Sequence, residues 1–348
     1  MPARAAARLL WLAGAVRPCL RFSHRFDLPN RQTLRLLADC WASGAQPNEA
    51  FIWRRVLAPS CHPLPGRAAS LVLGALGDPA AHRLLADKLA AAQWLAAAGI
   101  TMVATRARLV AGQTRGSDAT AWARPGAYIA KPRHGSASQG VRNVDVHADG
   151  GIILDGRSLA DVTELIRHLE PGSQEDEVLI QDRLPPGPEL ADLTAGPRAP
   201  VLRLVTARDP DGPAFLHSAL LEIDVPGERP RHFIRGRIRV PVDPASGCLC
   251  AGLWFLHPER RLETVPWNGA LLAGRPVPAF AIAVGQALRA MDQLPGLPLV
   301  HWDMILTGNG PVVLEGNSAG DWILAHLFRA AGLSAPPLAP LLRRWLPV

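Results

Sequence analysis

The stretch LVHWDMILTGNGPVVLEGNS, Leu299–Ser318, decides how this 348-residue chain folds. Two apolar-rich runs flank a Gly-Asn-Gly centre, a composition that turns one antiparallel strand into the next. A three-residue loop, Gly308-Asn309-Gly310, with Gly310 in the left-handed position, centres the hairpin on Asn309. Side chains alternate with period two, so this register sets Asp303 opposite Glu315 and His301 opposite Asn317, all on one sheet face. A two-residue loop would send Glu315 to the other face.

Opposed carboxylates about 5 Å apart repel by roughly 3 kcal/mol at an effective dielectric of about 20, and by less than about 1 kcal/mol in open solvent. A cation removes that repulsion. Asp303, Glu315 and Asn317 are hard oxygen donors, the kind Mg²⁺ takes when phosphates supply its other ligands. Taken alone, the pattern fits an exposed hairpin with solvated acids equally well. The flanking Val312, Val313, Leu314, Val300, Trp302, Ile305 and Leu306 assign the hairpin to a core instead.

Outward from the hairpin, the cations carry information too. Lys88 and Lys131 are the two lysines among 37 basic residues, and the other 35 are arginine. A lysine kept in such a chain marks a place where a compact ammonium fits and a planar guanidinium does not, although two survivors also fit chance. Lys88 falls in a helix expected to run from Ala81 to a stop at Gly99. There it lies within the apolar stripe, four residues beyond Leu84; a stem snorkelling along the surface would explain that placement as well. Lys131 ends the strand AYIAKP and opens the loop Gly135-Ser136-Ala137-Ser138-Gln139-Gly140. Such small residues can turn N–H groups and hydroxyls toward phosphate oxygens, yet the loop matches neither GxxxxGK[ST] nor GxGxxG, and an ordinary hairpin accounts for it too. VLIQDRLPPGPEL, Val178–Leu190, reads as a strand feeding a proline-rich hinge. Its backbone edge suits an adenine, and Glu189 suits ribose hydroxyls.

The bulk numbers narrow the classes. Hydrophobic residues make up 48% of the chain, so a folded protein with a sizeable core is expected. A net charge of +7 raises the question of nucleic acid. The arginines are scattered, however, and the aromatics sit at core-like positions rather than between them, so a nucleic-acid partner is not expected. The densest basic run, RPRHFIRGRIR, alternates Arg235, Arg237 and Arg239 as one strand face, which suits anionic small molecules. Five cysteines without a CxxC pair read as reduced thiols of a cytoplasmic protein. Residues 1–22 are basic and apolar. Broken by Arg17 and Pro18, they read as an amphipathic helix that docks on the body or weakly touches a membrane surface, not as a signal peptide.

Residues 1–80 form a mainly helical region with proline-rich joints. From there strands and helices mix without strict alternation, so the fold class is α+β. A first subdomain spans 81–184 and a second, bearing the hairpin, spans 185–348. The remaining expected elements include a helix near Ser158–Leu169, β segments between Pro200 and Leu256, and a helix near Val277–Met291.

Taken in order, Asp87-Lys88, the strand ending Lys131-Pro132 with its Gly/Ser loop, the hinge strand with Glu189, and the terminal D…ExN hairpin resemble the ATP-grasp superfamily. HPERRLETVPW, VLRLVT and VHWDMILTGNGPVVLEGNS more particularly resemble its sugar-transfer-associated group. The resemblance covers residues 81–325. It implies a fold of two α+β subdomains with ATP between them. Lys88 and Lys131 would contact the phosphates, and Gly135, Ser136, Ser138 and Gly140 would close over them. Gln181, Asp182 and Leu184 would line the adenine hinge, and Glu189 would hold the ribose. Asp303, Glu315 and Asn317 would bind two Mg²⁺ ions. Many relatives have an acid where Gln181 stands, and some ligases have arginine where His301 stands. Arg203, Arg235 or Arg237 is then the candidate for balancing charge near the metals or holding an acidic substrate. The implied activity is a ligase that joins a carboxylate to an amine or other nucleophile through an acyl phosphate, in envelope or exopolysaccharide-related metabolism. The alternatives are a small-molecule kinase on the same ATP site and a nucleotide-sensing partner protein without turnover.

Overall fold

Proline punctuates the N-terminal helices of the computed structural model, which describes residues 16–26, 28–56, 64–110, 113–115, 124–135, 139–169, 177–229, 234–320 and 337–346. Residues 16–25 are helical (α1), followed by α2 (Asn30–Ser43), α3 (Pro47–Val56), α4 (Gly66–Ala75) and α5 (Pro79–Ala86). Pro29 and Pro65 stand at the N-caps of α2 and α4, and Pro47 and Pro79 open α3 and α5. The fixed φ of proline and its missing N–H cost nothing in a first turn, where that donor has no helical partner.

The helix expected from Ala81 to Gly99 is in fact two. Asp87, with φ −97° and ψ 98°, ends α5 and caps α6 (Lys88–Ala97). Its carboxylate accepts from the N–H groups of Leu89 and Ala90, both at 3.1 Å. Lys88 therefore sits at the first position of a helix, not in the middle of a stripe. Gly99, at φ +77°, ends α6 as expected.

Two seven-stranded antiparallel sheets follow. The first contains β1 (Thr105–Val110), β2 (Gln113–Arg115), β3 (Gly126–Pro132), β4 (Arg142–Val146), β5 (Ile152–Leu154), β6 (Arg157–Leu159) and β7 (Glu177–Asp182), in the order β2-β1-β7-β3-β4-β5-β6. Helix α7 (Val162–Leu169) packs through Leu165 and Leu169 on the face bearing Tyr128, Ala130 and Ile180. Ser158, expected to start that helix, is instead in β6. Asp155 and Gly156 both take positive φ, 49° and 84°, and make the Asp-Gly turn that joins β5 to β6.

The second sheet contains β8 (Val201–Arg208), β9 (Ala214–Asp224), β10 (Arg237–Val242), β11 (Gly252–Trp254), β12 (Arg261–Leu262), β13 (Leu299–Thr307) and β14 (Gly310–Asn317), in the order β12-β11-β10-β9-β8-β13-β14. Helix α8 (Phe280–Asp292) buries Ala283, Ala287, Ala290 and Met291 against one face, where Leu202, Leu204, Trp302 and Met304 lie. Helices α5 and α6, grouped by chain position with the first sheet, pack on this second one. Leu85, Ala91, Leu95 and Ile100 join its core, and Met102 bridges to Val313.

The opposite face of the second sheet is covered from the N-terminus. Phe51, Ile52 and Trp53 of α3, with Leu36 and Cys40 of α2 and Cys19 of α1, pack on Leu220, Leu253 and Phe255. Leu73 of α4 and Leu341 of α9 (Leu338–Arg344) pack near Val205, Ala207 and Leu299. No helix among the described residues is long and apolar enough to cross a membrane.

Candidate active site

The β13–β14 hairpin pairs Asp303 with Glu315 and His301 with Asn317, the register expected from the sequence. The device that achieves it differs. Thr307 pairs with Gly310, which leaves two residues at the tip, not three. The missing residue returns as a bulge at Leu314, between the Met304–Val313 and Asp303–Glu315 pairs. A bulge shifts the alternation by one residue and brings Glu315 back to the face of Asp303. Gly310 does take a positive φ, +105°. Gly316, between Glu315 and Asn317, leaves room for the indole of Trp302: a Cβ there would lie 2.6 Å from Cζ3. Trp302 is itself fixed by its N–H to Thr206 Oγ1 at 2.9 Å.

Three stretches far apart in sequence meet on this face. Lys131, at the end of β3 and 7% exposed, brings Nζ to 3.8 Å from Glu315 Oε2. Asn317 donates through Nδ2 to Glu315 Oε1 at 3.4 Å. Lys88 donates through Nζ to the carbonyl oxygen of Gly135 at 2.6 Å, and its own N–H reaches the Arg133 carbonyl at 3.2 Å. Burial pushes both ammonium groups below the ordinary lysine value. For Lys131 the charge of Lys88 adds to this, and the carboxylate of Glu315 opposes it at both. Asp87 does not reach into the cleft. It accepts from Nε of Arg133 at 2.8 Å, and Arg133 also donates to Glu177 Oε2 at 3.1 Å, which fastens the α5–α6 junction to the first sheet.

A row of alternating charges continues across the second sheet. Arg203 on β8 donates through Nε and Nη2 to the two oxygens of Asp303, at 2.7 and 2.9 Å. Its Nη2 also stands 3.8 Å from Glu222 Oε2. Arg237 Nη1 reaches the same oxygen at 2.8 Å, and Arg239 Nε reaches Oε1 at 3.3 Å. Burial pushes Glu222 up, but the three guanidiniums outweigh it and hold this carboxyl at about 2. Asp303 is raised: burial outweighs the pull of Arg203, and Glu315 and Glu222 add to the push. Burial, with Arg203 and His217 nearby, keeps His301 well below the ordinary histidine value, so its imidazole is neutral. His301 lies against Gly320, where a Cβ would approach the ring to 2.3 Å.

Arg235 precedes β10 rather than extending its face. It sits 4.0 Å from Glu228 and 5.4 Å over the ring of Phe26 in the N-terminal region. Gln181 is buried, lies on the Lys131 side of the first sheet, and donates to Thr105 Oγ1 at 3.0 Å. The Asp182 side chain points to the other side and takes both ends of Arg106, at 2.8 and 2.7 Å. Only its backbone and that of half-buried Leu184 are left to the hinge. Glu189 is exposed on a 3-10 turn, Pro188–Leu193, and that turn is anchored to the hairpin by Gly187 N–H on the Leu306 carbonyl at 2.7 Å. Gly135 and Gly140 have φ of +110° and +71°, and Ser136 and Ser138 lie outside the described residues. Glu222 was missed as a site residue, and Arg239, read as part of the basic strand face, was not singled out with Arg235 and Arg237. The alternation of Glu222 and Asp224 at the end of an otherwise apolar strand was the available clue.

The donor set fits a hard divalent cation. Asp303, Glu315 and Asn317 present hard oxygen donors on one face, with Glu315 directly across from Asp303. Among the described residues no group of three or more His, Cys, Asp or Glu gathers as a metal cluster, so any further ligands would come from outside such a set.

The structure thus combines two antiparallel sheets with two lysines gathered at a carboxylate–amide hairpin on the edge of the second. The chain belongs to the sugar-transfer associated ATP-grasp family, whose model matches residues 73–335. Among solved structures it is similar to N5-carboxyaminoimidazole synthase from Aspergillus clavatus, at 12% identity, 82% coverage of this chain and TM-score 0.45. Biotin carboxylase from Campylobacter jejuni matches at 12% identity over 78% of this chain and 49% of that one, TM-score 0.46. D-alanine–D-alanine ligase from Coxiella burnetii matches at 11% over 77% and 59%, TM-score 0.46. The chain spans 59% of the length of the Aspergillus structure. A comparison with curated proteins gave no match.

Proposed function

We propose that the protein is an ATP- and Mg²⁺-dependent ligase that activates a carboxylate as an acyl phosphate for attack by an amine or another nucleophile. The observation that carries this reading is the meeting of Lys88 and Lys131 with Asp303, Glu315 and Asn317 in one cleft. ATP is the substrate that family membership supports, and the family's description supports a setting in envelope or exopolysaccharide metabolism. Use of ATP suits the cytoplasm.

In this reading Lys131 and Lys88 face the β- and γ-phosphates, and Gly135, whose carbonyl takes the Lys88 ammonium, lies beside them. Gln181, Leu184 and the Asp182 backbone lie along the adenine, and Glu189 takes the ribose. Asp303, Glu315 and Asn317 would hold two Mg²⁺ ions, which supply charge neutralisation of the phosphates. A carboxylate oxygen of the substrate forms a bond to the γ-phosphorus as the bond to the β–γ bridging oxygen breaks and ADP leaves. The nucleophile then bonds to the acyl carbon, the C–O bond to phosphate breaks, and the amine loses a proton to solvent. Arg203, Arg237 and the neutral His301 would orient the carboxylate and the phosphoryl oxygens. Arg235, turned toward Phe26, is assigned no part in these steps.

Hydroxylamine trapping tests the reading. Wild-type protein with ATP, Mg²⁺ and a library of carboxylates should give a hydroxamate that Lys131→Ala no longer makes. ADP formed with a phosphorylated product and no hydroxamate would replace the ligase with a kinase. Tight ATP binding with no turnover on any mixture would replace it with a nucleotide sensor.

A further inference from the structure

Helices α1 and α2 are each divided cleanly into two sides. Their inner sides, with Cys19 and Ser23 on α1 and Leu36 and Cys40 on α2, are buried, and the sulfurs of Cys19 and Cys40 approach to 3.7 Å. Since both inner sides pack toward α3 and the second sheet, both outer sides face away from the body. On α1 the outer side carries Arg17, Leu20, Arg21 and Arg25; on α2 it carries Arg31, Leu34 and Arg35. The offsets are i, i+3, i+4 and i+8 on α1 and i, i+3 and i+4 on α2, so each set is one stripe.

The composition of the outer sides is selective. All five arginines are exposed, and the one acid on the described part of these helices, Asp39, is paired with Arg54. Leu34 is 68% exposed and Leu20 56%. Leu20 stands between Arg17 and Arg21, and Leu34 between Arg31 and Arg35, so on each helix an exposed leucine is flanked by guanidiniums on the same side. Together they match an interface where acyl chains accept the apolar groups and anionic headgroups accept the guanidiniums. A phosphodiester chain would match the arginines but would meet leucines at the centre of the stripe, which favours lipid over nucleic acid.

We propose that the outer faces of α1 and α2 dock the protein on an anionic phospholipid surface. Because the inner faces of the same helices cover Leu220, Leu253 and Phe255 on the site face of the second sheet, docking holds that side of the cleft near the lipid headgroups. The inference does not depend on the ligase reading, because binding to lipid needs neither nucleotide nor metal.

The test is co-sedimentation of the full-length protein, without nucleotide, with vesicles of phosphatidylcholine alone or of phosphatidylcholine mixed with phosphatidylglycerol. Binding is expected only to the mixed vesicles and should weaken as sodium chloride is raised. The double variant Arg21→Glu, Arg35→Glu should weaken binding by about tenfold or more, whereas Arg21→Lys, Arg35→Lys should keep it. Leu34→Asp should weaken it as well, through loss of the apolar insertion. All these positions are exposed, so an unchanged thermal midpoint verifies folding for each. Equal binding to both vesicle types, binding that survives both the charge reversal and Leu34→Asp, or no binding to mixed vesicles at low salt overturns the proposal. So does a dimer in sedimentation analysis that Leu34→Asp dissociates while vesicles retain nothing, or tighter retention on single-stranded DNA than on mixed vesicles.

Discussion

Arg203 holds both carboxylate oxygens of Asp303, at 2.7 and 2.9 Å, while its Nη2 stands 3.8 Å from Glu222. One guanidinium thus links an acid expected to meet a metal ion with an acid buried two strands away. From Asp303 through Arg203 and Glu222 to Arg237 the charges alternate across the sheet, with Glu315 beside Asp303 at its end. This alternation fixes the side chains that a charged substrate would otherwise have to order.

Glu222→Gln should destabilise the protein by about 3 kcal/mol or more at neutral pH, because three guanidiniums lose the one carboxylate that joins them. The Glu222 carboxyl is held at about 2 in the fold against an ordinary 4.5. Its stabilisation is therefore fully present above pH 4.5 and is lost as pH falls toward 2. Urea unfolding of both proteins across that range should show the gap closing as the solution is acidified. A constant gap would contradict the assignment.

Lys131→Met should lower nucleotide affinity by about tenfold or more while leaving the thermal midpoint unchanged or raised. Burial disfavours the Lys131 ammonium in the folded state, so removing the charge relieves a cost. Lys131→Arg should fail to restore binding, since a larger planar group enters a site that leaves lysine 7% exposed. Titration with a fluorescent ATP analogue, alongside differential scanning fluorimetry, separates the two effects.

Asp87→Ala should cost about 1–3 kcal/mol, from loss of the α6 cap together with the Arg133 ion pair. The hydrogen bond from Arg133 holds the Asp87 carboxyl at about 2, below its ordinary 3.8. Stability from this group is thus complete above pH 3.8 and fades toward pH 2. The wild type should show that acid limb in chemical unfolding, and the alanine variant should lack its share of it.

Glu315→Gln should weaken binding of the Mg²⁺–nucleotide complex by about tenfold or more, with a much smaller effect on nucleotide measured in EDTA. Calorimetric titration in the two buffers distinguishes a ligand to the ion from a residue that contacts only the nucleotide. An equal loss in both would assign Glu315 to the lysines instead.

The sequence by itself determined that a hairpin turns at Gly308–Gly310 and that prolines mark the helix starts, because each follows from a backbone restriction within a few residues, and its composition singled out the two lysines. Tertiary structure decided the rest. Asp87, which caps α6 locally, is joined to the first sheet only because Arg133, 46 residues later, donates to the same carboxylate. Asp303 and Glu315 stay on one face through a bulge at Leu314, not through the length of the turn. Glu222 acquires its arginines only when β8, β9 and β10 lie side by side. Periodicity reports which face a side chain takes; which charge waits there depends on strands and loops brought together by burial of the core, and no local pattern records that.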